Sequence, residues 1–129
     1  MRLPRNVKRR LVDYFPELDL DEIQIKAGIP WYVPMKVDAY TNCNRIYFAR
    51  GKYRPKSLAG IALIAHELAH CAQYKVHGAW RFRIMYALSW LAGLLRHASF
   101  NEAYLQNRFE AEARVIEDMV YNDLSNHFN

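Results

Sequence analysis

The sequence predicts an α+β domain: a leading helix, a small antiparallel or mixed sheet, then helices to the end of the chain. Three observations lead there. Apolar residues recur at three-to-four spacing near the start and through the second half. Between residues 21 and 49 they alternate in short runs, broken by Gly28-Ile29-Pro30 and by asparagines. The order of helix, strands and helices lacks the strand–helix alternation of a parallel α/β sheet. A chain of 129 residues, 52% apolar and 14% aromatic, suits one domain spanning residues 1–129 with a small core, and is too apolar for a disordered segment.

The first helix is expected over residues 4–15, with Pro4 near its start and Val7, Leu11 and Phe15 on one face. Residues 21–26 alternate around Ile23 and Ile25 and read as a short strand. Residues 35–40 and 45–49 read as two more, joined in a hairpin by the polar turn Thr41-Asn42-Cys43-Asn44. Residues 51–55 form a basic loop. Ser57 is placed to cap a helix over residues 58–77, and Gly78 to end it. An apolar helix follows over residues 79–96, its stripe of Phe82, Met85, Tyr86, Ser89, Trp90 and Gly93 read as core. Ser99 with Glu102, and Asn107 with Glu110, are capping-box pairs. The last helix is expected over residues 108–124, with Phe109, Ala113, Ile116, Val120 and Leu124 inward.

Net charge is +5, and residues 1–60 carry 12 Lys/Arg against 6 acids while residues 61–129 carry 6 against 7. Arg2, Arg5, Lys8, Arg9 and Arg10 are read as a solvated helix face, with contact to nucleic acid, an acidic partner or anionic lipid as the alternative. Nucleic acid is not the expected partner. Two cysteines, Cys43 and Cys71, are too few for a disulfide framework. No apolar run follows the basic first ten residues, so no secretory signal is expected. The longest apolar run, residues 84–95, is short of the roughly 20 residues a membrane span requires. The default expectation is a cytoplasmic protein, with export by a non-standard route as the alternative.

One motif points to chemistry. His66-Glu67-Leu68-Ala69-His70 is a His-Glu-x-x-His sequence within the helix expected at residues 58–77. Four residues apart on a helix, both imidazoles leave the same face, where their nitrogens can reach one Zn²⁺ at about 2.0–2.1 Å. Glu67 sits about 100° round the helix. It is poorly placed as a ligand and well placed to accept a proton from a water on the ion's open side.

A catalytic zinc takes three protein ligands, so one more is needed. His77 lies about 10 Å further along the helix axis, and His97 stands alone after an arginine. Asn107-Arg108-Phe109-Glu110-Ala111-Glu112-Ala113 is the stronger source, because alanines at 111 and 113 would let two helices approach closely. Glu110 and Glu112 lie about 200° apart on a helix, so only one can face the metal. Glu110 is favoured because Phe109 and Ala113 complete the inward side; Glu112 is the second choice. A thiolate from Cys43 in the fourth position would point to a structural ion, and Cys71 reads as a packing residue.

The run Ile64-Ala65-His66-Glu67-Leu68-Ala69-His70-Cys71-Ala72-Gln73-Tyr74, with Phe109-Glu110-Ala111-Glu112-Ala113 after it, resembles the small zincin-like domain found beside extracellular contractile injection systems. Ala39-Tyr40-Thr41 and Ile46-Tyr47-Phe48 resemble the strands of that domain, and the likeness spans roughly residues 20–120. It implies a minimal zincin-like fold, a bound zinc, metallopeptidase activity on a protein or peptide, and association with an injection system. The chain also resembles gluzincins, in which the first Glu of a Glu-x-x-Ala-Asp pattern is the third ligand; this resemblance supports Glu110. Arg114 stands where that pattern has its aspartate, so the role of orienting a ligand histidine would fall to another acid such as Glu112 or Glu117.

The expected chemistry is peptide hydrolysis, with His66, His70 and Glu110 holding zinc and Glu67 as general base. Tyr104, Tyr74 and His97 are candidates for a donor to the attacked carbonyl. The hairpin at residues 35–49 would offer a sheet edge to an extended substrate. The alternative is a catalytically silent module that holds zinc or docks to another protein.

Overall fold

The computed structural model describes residues 1–33, 36–78 and 108–126, together with residues 83, 84, 87, 88 and 90–92. Helix α1 (Arg5–Leu11) leads into a 3₁₀ turn (Val12–Tyr14). A second 3₁₀ turn (Leu20–Glu22) precedes strand β1 (Gln24–Ala27). Strands β2 (Ala39–Asn42) and β3 (Arg45–Phe48), helix α2 (Leu58–His77) and helix α3 (Arg108–Ser125) follow. The α+β class is as expected.

The sheet is mixed, in the order β1-β3-β2. β3 is central, parallel to β1 and antiparallel to β2. The outer side of β1 is covered by the chain start: Arg2 bridges Gln24, and the Ile25 N–H donates to the Met1 carbonyl at 2.7 Å. No strand among the described residues pairs with the outer side of β2.

Some boundaries differ from expectation for local reasons. α1 stops at Leu11 and tightens into 3₁₀ geometry because Pro16 forbids helical continuation and biases Phe15 away from it. The first strand starts at Gln24, not residue 21, because the Asp19 side chain accepts from the Asp21 N–H and folds residues 20–22 into a turn. β2 runs Ala39–Asn42, where residues 35–40 were expected; Met35 lies outside the described residues. Asn42 pairs with Arg45, so only Cys43 and Asn44 make the turn. Cys43 takes the positive φ of 57° that this reversal needs. Thr41, expected in the turn, is a buried strand residue.

α2 has the predicted ends. Ser57 Oγ accepts from the Gly60 N–H at 3.0 Å, and Gly78 closes the helix at φ 78°. A Cβ at Gly60 would collide with the Arg54 carbonyl oxygen, so the basic loop packs directly on the first turn of α2.

Helix α2 forms the centre of the core, with Ile61, Ile64, Ala65 and Leu68 fully enclosed. Val7, Leu11 and Phe15 close one side, Ile25, Ile46 and Phe48 of the sheet another, and Ala113 and Val120 of α3 a third. Burial of each large side chain stabilises the fold by about 1.5–3 kcal/mol. Of the inward set expected on α3, Phe109, Ala113 and Val120 are buried, and Ile116 and Leu124 are partly so. Ala111 is exposed, so Ala113 alone of the two alanines makes the close approach. The described residues within 79–96 are helical. Of its predicted stripe only Trp90 is described; Phe82, Met85, Tyr86, Ser89 and Gly93 lie outside the described residues, as does the segment 97–107.

Candidate metal centre

Unbroken helical geometry from Leu58 to His77 puts His66 and His70 on one face of α2, with ring centroids 5.1 Å apart. Helix α3 packs across that face at Ala113, and Glu110, one turn earlier, points between the two imidazoles. Glu110 Oε2 is 3.0 Å from His66 Nε2, and its Oε1 is 2.8 Å from His70 Nε2. All three side chains are buried, and one donor atom from each lies within 4.8 Å of the others.

The far nitrogens are held as well. His66 Nδ1 lies 2.8 Å from Glu117 Oε1, and His70 Nδ1 lies 2.8 Å from Gln73 Oε1. Gln73 is fixed in turn, its Nε2 donating to the Phe109 carbonyl at 3.0 Å and to Glu112 Oε2 at 3.2 Å. A carboxylate and an amide oxygen both demand an N–H at Nδ1. With Nδ1–H fixed in this way, Nε2 is the nitrogen of each ring that can take either a proton shared with Glu110 or a metal ion.

These residues fit a divalent metal ion. His70 Nε2 is buried without an aligned hydrogen bond, since Glu110 Oε1 is close but off the line of a ring N–H. In tetrahedral zinc coordination, donor atoms lie about 3.4 Å apart, near the separations seen here. The electrostatics agree. Burial disfavours the charged form of His66, yet Glu110 and Glu117 outweigh it and push its pKa up to about 10. Burial opposes charge on Glu110 too, but His66 and His70 hold its carboxyl well below the usual range. The protons that these carboxylates draw onto the imidazoles are the ones a bound cation would displace.

Glu67 stands beside the triad. Its Oε2 is 3.9 Å from His66 Nε2, and its Oε1 accepts from the Thr41 hydroxyl at 2.8 Å. Burial raises its pKa, with His70 and His66 opposing. Thr41 belongs to β2, so the edge strand touches this carboxylate directly.

Glu110 and Glu112, the two candidates for the third position, are thus separated: Glu110 is buried at the imidazoles, and Glu112 is exposed and braces Gln73. Glu117 contacts His66. Tyr74 lies one turn past His70, with Arg83 6.0 Å from its ring centroid. Tyr104 and His97 lie outside the described residues. His77 packs on Phe109 at 5.9 Å and is absent from the cluster, as are Cys43 and the buried Cys71. Sequence reading missed Thr41 and Gln73. Gln73 could have been found, being three residues after His70 and on its face; Thr41 carries no such local signal.

The basic leading segment is partly engaged within the chain. Lys8 Nζ pairs with Asp21 at 2.7 Å, and Arg2 donates to the Glu22 carbonyl at 3.1 Å. Arg5 and Arg9 are exposed. No helix among the described residues is long and apolar enough to cross a membrane.

No curated protein and no solved structure matches the chain. The family model of the eCIS core domain matches residues 2–78, which is more than half of the sequence. That match takes in α1, the sheet and the His-Glu-x-x-His helix. It starts before the span of roughly 20–120 read from the sequence and ends before α3, so Glu110 and Glu117 come from outside it. On this match the chain belongs to the eCIS core domain family, the core family of extracellular contractile injection systems.

Proposed function

We propose that the chain is a zinc-dependent peptidase of zincin-like fold, acting in association with an extracellular contractile injection system. The observation that carries this reading is the convergence of His66 Nε2, His70 Nε2 and Glu110 with both Nδ1 atoms already held. The donor set of two imidazoles and one carboxylate is that of catalytic zinc sites that keep an open position. Among the described residues no fourth His, Cys, Asp or Glu joins the cluster, which supports an open site over the silent, structurally saturated alternative.

His66, His70 and Glu110 would hold the ion. When bound, zinc would supply a water with its pKa lowered toward about 7 and a Lewis-acidic contact for the substrate carbonyl. Glu67 takes the water's proton on Oε2 and delivers it to the leaving amine. Thr41 restrains the other oxygen of that carboxylate. The outer side of β2, which no strand among the described residues pairs with, aligns an extended substrate by main-chain hydrogen bonds. Tyr74 remains a candidate donor to the attacked carbonyl.

Turnover of a quenched fluorescent peptide library by the zinc-loaded chain tests this. The parent should cleave, and Glu67→Gln should keep its zinc and lose at least about a hundredfold in rate, as loss of a general base implies. Equal cleavage by the two proteins would refute Glu67 as the base.

A further inference from the structure

Trp31 is 93% exposed and Tyr32 51% exposed. A single surface tryptophan would mean little, but these rings are part of a row. Trp31 meets Tyr32 edge-on at 5.9 Å, Tyr32 meets Tyr40 edge-on at 6.2 Å, and Tyr40 lies 6.1 Å from Tyr47. The row runs from the central strand β3, through the edge strand β2, to a nearly naked indole.

Its position relative to the metal centre follows from the pleat. Side chains of β2 alternate: Ala39 and Thr41 are buried toward α2, and Tyr40 and Asn42 face the other way. Thr41 bonds to Glu67, so Tyr40 is one residue from the strand position that touches the proposed base. The two-residue turn makes Asn42 and Arg45 a hydrogen-bonded pair, then Tyr40 and Tyr47. The Ala49 N–H donating to the Asp38 carbonyl at 2.8 Å continues that register. The N–H and C=O groups of Ala39 and Thr41 therefore turn to the outer side of β2, where no strand among the described residues pairs. They call for another backbone in extended form, and the side chain opposite Tyr40 on it would sit about 5 Å from Tyr40 Cβ.

We propose that Trp31, Tyr32 and Tyr40 form an aromatic shelf that selects extended peptides carrying an aromatic or large aliphatic side chain at the position opposite Tyr40. This rests on the peptidase reading of the same site and adds a substrate class to it. The rings already hold one another in edge-on contact, so little ordering is required when a side chain covers them.

The test is selection from a phage-displayed library of random peptides, about a dozen residues long, on the zinc-loaded Glu67→Gln chain. Selected sequences should share one position held by Phe, Tyr, Trp, Leu, Ile or Met. A synthetic peptide of that kind should bind about tenfold more tightly than its alanine counterpart. Trp31→Ala with Tyr32→Ala in the same background should lose both effects. Trp31→Ala alone, at a side chain almost wholly in solvent, should lose part of them with an unchanged circular dichroism spectrum. Selection of no peptides, of peptides without such a position, or of the same peptides by the altered chains would overturn the shelf. Selective binding without cleavage by the parent would instead sink the peptidase reading and leave the shelf standing.

Discussion

Each metal-site imidazole is gripped from behind: His66 by Glu117, and His70 by Gln73. Glu67 is gripped by Thr41. The motif made His66, Glu67 and His70 legible in the sequence, and the inward face of the last helix made Glu110 legible. Glu117 was one of two acids left to orient a histidine, because Arg114 occupies the position where gluzincins have an aspartate. Thr41 could not be read, since a threonine leading into Asn42-Cys43-Asn44 looks like turn chemistry until the tertiary fold buries it. Its hydroxyl fixes the rotamer of the proposed base, and misplacing such a group by about 1 Å can cost on the order of a hundredfold in rate. Thr41→Val should therefore lower kcat about ten- to a hundredfold with zinc content unchanged, and Thr41→Ser should restore most of it. Steady-state kinetics beside metal analysis checks this; an unchanged kcat in Thr41→Val would mean that Glu67 needs no such restraint.

The candidate metal centre is a product of two helices meeting. The sequence displayed the ends of α2, through Ser57 and Gly78, and the span of α3, because strong caps and sustained periodicity are local properties. It displayed strand boundaries less well: β2 shifts toward its turn because hairpin geometry, not composition, decides where pairing stops. The mutual placement of α2 and α3 rests on Ala113, fully buried at the contact. Enlarging it would push the helices apart and carry Glu110 and Glu117 away together. Ala113→Leu should cost about 1–3 kcal/mol of stability as an overpacked core. It should also weaken zinc binding although His66, His70 and Glu110 themselves are unchanged in sequence. Thermal melts and competitive chelator titration measure the two effects; a destabilised protein with parental zinc affinity would show that α3 does not set the site.

The stability of the metal-free fold is linked to protons, and a bound metal would be linked to them in the opposite sense. With His66 raised to about 10 from an unfolded value near 6.5, its pairing with Glu110 and Glu117 stabilises the metal-free fold fully below about pH 6.5. That stabilisation is lost as pH rises toward about 10. A zinc ion at His66 and His70 would require neutral imidazoles and so would bind better over the same range. The difference in Tm between zinc-loaded and metal-free protein should therefore widen from pH 6 to pH 9; a constant or narrowing gap in scanning fluorimetry would contradict this linkage. The family match covers the sheet and the motif helix but not α3, so Glu110 is the proposed ligand that lies beyond it. Zinc titration of the full chain, with His70→Ala and Glu110→Ala beside the parent, tests that ligand. The parent should bind about one equivalent, and each variant should lose at least about a hundredfold in affinity. Parental affinity in Glu110→Ala would contradict the three-residue metal centre.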